Sequence, residues 1–183
     1  MGVYNLGDVF YLSHDLKDIL TRIDTLYAIS FTASGTMYYP KRVLDSSKHW
    51  ASADSAQAFN DLMPEVKSLH KDMYAVIESI AKANHGEFKP GQFEATYSNF
   101  KEFRLLNNKL KHFNDGAVEI NVTQVVIMEL QKKLIDWYFA FRSAVDFKSF
   151  RYSEFIETFF LIMEELGVIR IQRSDNVLLQ RVY

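Results

Sequence analysis

From Arg104 to Asp115 the chain runs Arg-Leu-Leu-Asn-Asn-Lys-Leu-Lys-His-Phe-Asn-Asp, the stretch whose residue types and spacing best suit chemistry. Successive helical residues turn by about 100°, so Arg104, Asn108 and His112, each four apart, fall in one strip. Leu106, Leu110 and Phe113 lie well round from it. A cation, an amide and an imidazole then share a face with no need to pack in the core. Lys109 and Lys111 add positive charge beside them. That set suits phosphodiester chemistry on RNA. An imidazole titrates near neutrality and can pass a proton to or from a ribose hydroxyl or a leaving oxygen. A guanidinium can grip a phosphate through paired bonds and offset charge that develops in the transition state. Asn107 and Asn108 would orient these groups, and Lys109 and Lys111 would bind RNA. No metal is required. The same residues equally fit a solvated helix end, where Lys109, Lys111 and His112 offset the partial negative charge of the C-terminus. Asn114 and Gly116 would then simply stop the helix.

The phrase Asn107-Asn108-Lys109-Leu110-Lys111-His112-Phe113, late in a long helical pattern and followed by a turn, resembles the motif of HEPN domains. Their signature is an Arg, four to six residues, then His, often with a polar residue after the Arg. The resemblance implies an all-helical bundle and, in active members, a metal-independent RNase. It also implies a homodimer with two motifs facing across a cleft, and a role in toxin–antitoxin or antiviral defence beside a neutralising partner protein. Carried onto this chain, it makes His112 the proton-transfer residue and Arg104 the phosphate clamp. The chain departs from the pattern, because Asn107 stands where the commonest spacing places the Arg. Arg104 precedes His112 with seven residues between them. Loss of that Arg is what a binding-only member would show. A non-catalytic helical interaction protein, whether antitoxin-like, adaptor or inhibitor subunit, is therefore the second expectation.

The elements that would carry these residues follow from apolar spacing. A first helix is expected from about Leu6 to Phe31, on Val9, Leu12, Leu16, Ile19, Ile23 and Leu26. A break at Thr32–Thr36 and an ordered aromatic loop from Met37 to Trp50 follow. A second helix starts near Ser52 or Asp54 and ends before His85-Gly86, with Pro64 as a kink or restart. The third runs from about Gln92 to Phe113 on Phe93, Tyr97, Phe100, Phe103, Leu106 and Leu110, stopping at Asn114-Asp115-Gly116. A short strand is expected over 117–122, a fourth helix from about Gln124 to Phe147, and a fifth from Ser153 to Leu166 ending at Gly167. Val168 to Tyr183 reads as a β-hairpin. The expected architecture is mainly α: one up-and-down bundle of four to five helices spanning residues 1–183, with β structure only at its edges.

Composition bounds the function classes. At 183 residues the length suits one domain. Fifteen Phe and ten Tyr supply an aromatic core, and three Pro with seven Gly leave few breakers. With no Cys, disulfides, thiolate metal sites and a Cys nucleophile are excluded. The net charge of −2 gives no global case for nucleic-acid binding, so any RNA contact must come from a local patch. No signal peptide or run of about 20 apolar residues is visible, so a cytoplasmic protein without membrane contact is expected. No cofactor glycine motif, nucleophile elbow or metal-ligand cluster stands out. His14 and His70 sit on helices that could approach the third, and hydrogen-bonded or exposed roles suit both.

Overall fold

Alternation, rather than helical spacing, governs the middle of the chain. In the computed structural model, which describes residues 6–32, 35–41, 55–112, 118–129, 132–172 and 178–181, five helices and seven strands form a mixed α/β fold. The mainly helical bundle expected from the sequence is thereby corrected. The largest departure is at the expected fourth helix, which is instead two long strands, β3 (Glu119–Glu129) and β4 (Lys132–Arg142). They pair antiparallel from Glu119↔Arg142 to Glu129↔Lys132. Val122, Thr123, Val125, Val126 and Ile127 are β-branched, which stiffens χ1 and favours the pleated backbone. In β4, Trp137, Phe139 and Phe141 are buried, whereas Tyr138 and Ala140 between them are half-buried and Arg142 is exposed. That period of two turns one face toward the helices. The strand expected over 117–122 is the start of β3; Ala117 and the Asn114–Gly116 turn lie outside the described residues.

The first helix, α1 (Leu6–Leu26), stops earlier than its apolar spacing implies. Tyr27, Ala28 and Ile29 are buried, exposed and half-buried in turn, and belong to β1 (Tyr27–Thr32). This strand pairs with β2 (Gly35–Pro40), which takes the first residues of the expected loop; 42–50 lie outside the described residues. The second helix, α2 (Ser55–His85), runs unbroken through Pro64, and its expected caps Ser52 and Asp54 lie outside the described residues.

The expected third helix is two. After α3 (Pro90–Thr96), Tyr97 turns extended, and α4 (Phe100–Lys111) begins behind Asn99. Asn99 is buried: its amide donates to the Glu154 carbonyl at 3.1 Å and accepts from the Thr158 hydroxyl at 2.6 Å. Those bonds to the last helix hold the break in place. Strand β5 (Phe147–Arg151) completes the order β3-β4-β5 and leads directly into α5 (Tyr152–Glu165). Helix α5 matches its expected span and ends in a Schellman closure. Gly167 (φ +72°) donates to Glu164 and Val168 to Met163. The expected C-terminal hairpin is present as β6 (Ile169–Gln172) paired with β7 (Leu178–Arg181); 173–177 lie outside the described residues.

One core joins these parts. His70 of α2 is fully buried, its ring tilted against that of Phe103 of α4 at 4.2 Å between centroids. Its Nε2–H donates to the Phe103 carbonyl at 2.8 Å, which leaves Nδ1 to accept from the Tyr152 hydroxyl at 3.3 Å. Burial drives its pKa down to about 4, partly opposed by the carbonyl bond. Between the β1-β2 and β3-β4-β5 sheets, Tyr27 donates to Asp136 at 2.6 Å, and the Trp137 N–H donates to the same oxygen at 2.8 Å.

Neutral, buried imidazole makes stability acid-sensitive. The unfolded chain binds a proton at His70 below about 6.5 and the folded chain only below about 4. Stability from this group is thus complete above pH 6.5 and falls by about 3 kcal/mol as pH drops to about 4. Asp136 and Glu157, whose carboxyls are raised by burial, act in the opposite sense. Urea midpoints of the parent and His70→Gln across that window isolate the imidazole: the parent should lose stability more steeply, and parallel curves would refute the assignment. Tyr27→Phe, which strips one of the two donors from Asp136, should lower stability by about 1–3 kcal/mol in the same assay at pH 7.

Candidate functional site

Helix α4 and its C-cap carry the candidate residues that the sequence grouped from Arg104 to His112, and the fold deals with each differently. Arg104 is half-buried and points to α3, where Nε and a terminal nitrogen reach one Glu94 oxygen at 2.8 and 2.7 Å. Its charge also bears on Tyr74 of α2, whose hydroxyl pKa is raised chiefly by burial. Lys111 is exposed, with Nζ 5.9 Å from the centroid of that same Tyr74 ring. Lys111 thus sits at the Tyr74 ring, a contact that the strip geometry did not foresee.

His112 takes no part in it. The residue is exposed and caps α4 with extended backbone (φ −130°, ψ 93°), its N–H donating to the Asn108 carbonyl at 2.8 Å. Eight helical positions rise about 12 Å, so Arg104 and His112 sit two turns apart with the guanidinium turned toward α3. Asn108 and Lys109 are half-buried along the same helix. Among the described residues, Lys109, Lys111 and His112 form no ion pair, so the helix end is a locally basic surface in a chain of net charge −2.

Asn107 lies on a different face. It is fully buried, and neither its oxygen nor its nitrogen finds a hydrogen-bond partner among the described residues. Phe103, Leu106, Asn107 and Leu110 form an i, i+3, i+4, i+7 set, the spacing of a buried stripe. The sequence thus held the signal that Asn107 faces inward, away from Asn108.

Two other clusters went unnoticed in the sequence. Between α1 and α2 a cleft of about 200 Å³ is lined by Asp15, Asp18, Arg22, Asp72 and Ser79. Arg22 closes it internally, bonding Asp18 at 2.6 Å and Asp72 at 2.7 Å. Among the described residues no three His, Asp or Glu side chains are placed to hold a metal ion. The second cluster is Tyr27, Asp136, Tyr38 and Glu157. Burial raises both carboxyls, with the charge of Glu154 adding to each, and burial lifts the Tyr38 hydroxyl far above its ordinary range while Glu157 adds to it. Its members come from the β1–β2 hairpin, β4 and α5, so no local motif could announce it.

The unmet amide of Asn107 generates a prediction. Asn107→Leu, close in volume, removes the unpaired groups and should raise unfolding stability by about 1–3 kcal/mol. A lower denaturation midpoint would show that the amide is engaged. No helix among the described residues is long and apolar enough to cross a membrane. No family model, curated protein or solved structure matches this chain.

Proposed function

We propose that this protein acts by binding, as a non-catalytic interaction protein, rather than by cutting RNA. The observation that carries this reading is the Arg104–Glu94 pair. A phosphate clamp needs a guanidinium whose donors face the substrate, and here two of them converge on a carboxylate of the same chain. His112, two turns away and solvent-facing, then lacks the partner that would hold a scissile phosphate against it. General acid–base transfer requires that geometry before any pKa matters. The departure of Asn107 from the HEPN signature, together with its burial, supports the same reading. An adaptor, antitoxin-like or inhibitor subunit fits an arrangement in which the charged groups stabilise the fold and the surface does the work.

The competing reading, a HEPN-like metal-independent RNase acting in defence, keeps His112 as its proton-transfer group, with Lys109 and Lys111 binding RNA. One experiment separates them. The purified protein and its His112→Ala variant are incubated with total RNA in EDTA at neutral pH. Neither should cleave, and the tagged protein should copurify from its host with a protein partner in fixed ratio. Cleavage by the parent that is lost in the variant would overturn the binding reading.

A further inference from the structure

Helix α4 puts Phe103, Asn107 and Lys111 in one strip, each four residues on from the last. Both ends of that strip touch α2. The Phe103 ring lies against those of His70 and Tyr74, and Lys111 Nζ stands 5.9 Å from the Tyr74 centroid. Asn107, midway between them, therefore faces the seam where the two helices meet. Its side chain is fully buried, and among the described residues neither its oxygen nor its nitrogen has a partner. Long helical side chains lean toward the helix N-terminus, so the Lys111 stem runs back over the turn that carries Asn107. A rotamer change in that one flexible side chain uncovers the amide.

Cations collect along the same seam. On α2, Lys67 and Lys71 precede Tyr74 by seven and three residues and so share its flank. Both are half-buried, and among the described residues neither they nor Lys111 form an ion pair. Lys67 and Lys71 stand four apart, the spacing at which like charges on a helix repel. Two carboxylates whose charge bears on Tyr74, Glu78 and Glu94, are already paired with Lys82 and Arg104. Partly desolvated cations without a counter-charge destabilise the chain until an anion arrives from elsewhere.

We propose that this seam binds an acidic peptide segment of a partner protein. Lys67, Lys71 and Lys111 meet its carboxylates, and the Asn107 amide bonds its backbone. The orphaned amide decides between anions. It presents an acceptor and a donor side by side, and a peptide unit offers the matching N–H and C=O. A phosphate backbone offers acceptors alone and leaves the Asn107 oxygen unmet. The net charge of −2 points the same way, because a long nucleic acid meets the field of the whole molecule and a short segment meets the seam. This partner chemistry rests on the binding reading above and refines it.

Fluorescence anisotropy on the full chain tests it, with labelled poly-glutamate as the probe at low salt, where charges are least screened. Polyacrylate (carboxylates without peptide units) and oligouridylate are the comparison probes. The parent should bind poly-glutamate about tenfold more tightly than polyacrylate of equal charge. Asn107→Leu should erase that margin while its denaturation midpoint rises, a combination that a merely structural amide does not give. Lys111→Gln, and Lys67→Gln combined with Lys71→Gln, should each weaken both polyanions about tenfold. Those variants decide alone should Asn107→Leu fail to fold. Absent poly-glutamate binding, a margin unchanged in folded Asn107→Leu, lysine variants that bind as the parent does, or tighter binding of oligouridylate would each overturn the proposal. Poly-glutamate failing while a protein copurifies strikes the seam and leaves the binding reading standing. RNA cleavage lost in His112→Ala strikes that reading whatever the peptide does.

Discussion

Phe155, in the first turn of α5, is where the helices and the sheet are fastened together. Its ring meets His70 of α2, Phe103 of α4, Phe139 and Phe141 of β4, Phe150 of β5 and Tyr152 of its own helix. These rings meet edge-on or tilted, which suits the quadrupoles of aromatic groups better than a face-to-face sandwich. Truncating such a side chain costs about 3–5 kcal/mol, a large share of the roughly 5–15 kcal/mol that holds a domain folded. The polar groups that share this core are consequences of its tightness. His70 can be buried only because the Phe103 carbonyl and the Tyr152 hydroxyl lie within reach of its two nitrogens. Asn99 can break a helix inside the core only because α5 satisfies both ends of its amide.

The same tightness decides what α4 is able to do. Packing Phe100, Phe103, Leu106 and Leu110 inward fixes the rotation of the helix and sends Arg104 toward α3. The helix then ends at Lys111, so His112 leaves it on extended backbone and not as another step of the strip. Electrostatics along α4 serve two ends. Near α3 the charge is neutralised within the fold, and at the C-terminus it is left to the solvent, where it offsets the helix dipole. Catalysis would need those two ends to meet at one substrate; recognition does not.

Helices with one clear apolar side were legible in the sequence. α2 and α5 lie close to where their spacing and stop signals put them, and the C-terminal hairpin was marked by its alternation. Residues 124–147 misled because their apolar positions satisfy two periods together. Leu134, Trp137 and Phe141 fit a helix, whereas Trp137, Phe139 and Phe141 fit a strand. Which period wins depends on the partner strand, and pairing with β3 selects the second. Tyr27, Ile29 and Phe31 hid in the same manner behind α1. In the candidate site, Asn107 was grouped with Asn108 as a neighbour in sequence, although one faces the core and the other does not. Its spacing from Phe103, Leu106 and Leu110 marked the inward face, which adjacency in sequence obscured. Glu94, the residue that takes up Arg104, lies ten positions away across a break that the third-helix reading had closed.

The connectivity of the strands has a kinetic meaning. Among the described residues every strand bonds only to its neighbours in chain order, in the sheets β1-β2, β3-β4-β5 and β6-β7. No sheet needs a distant segment to arrive before it forms, so each hairpin can zip from its own turn with little loop entropy lost. The long-range event is the docking of these preformed hairpins on the helices. Tyr27 must find Asp136 across 109 positions, and that short buried bond marks the step at which a string of local hairpins becomes one cooperative molecule.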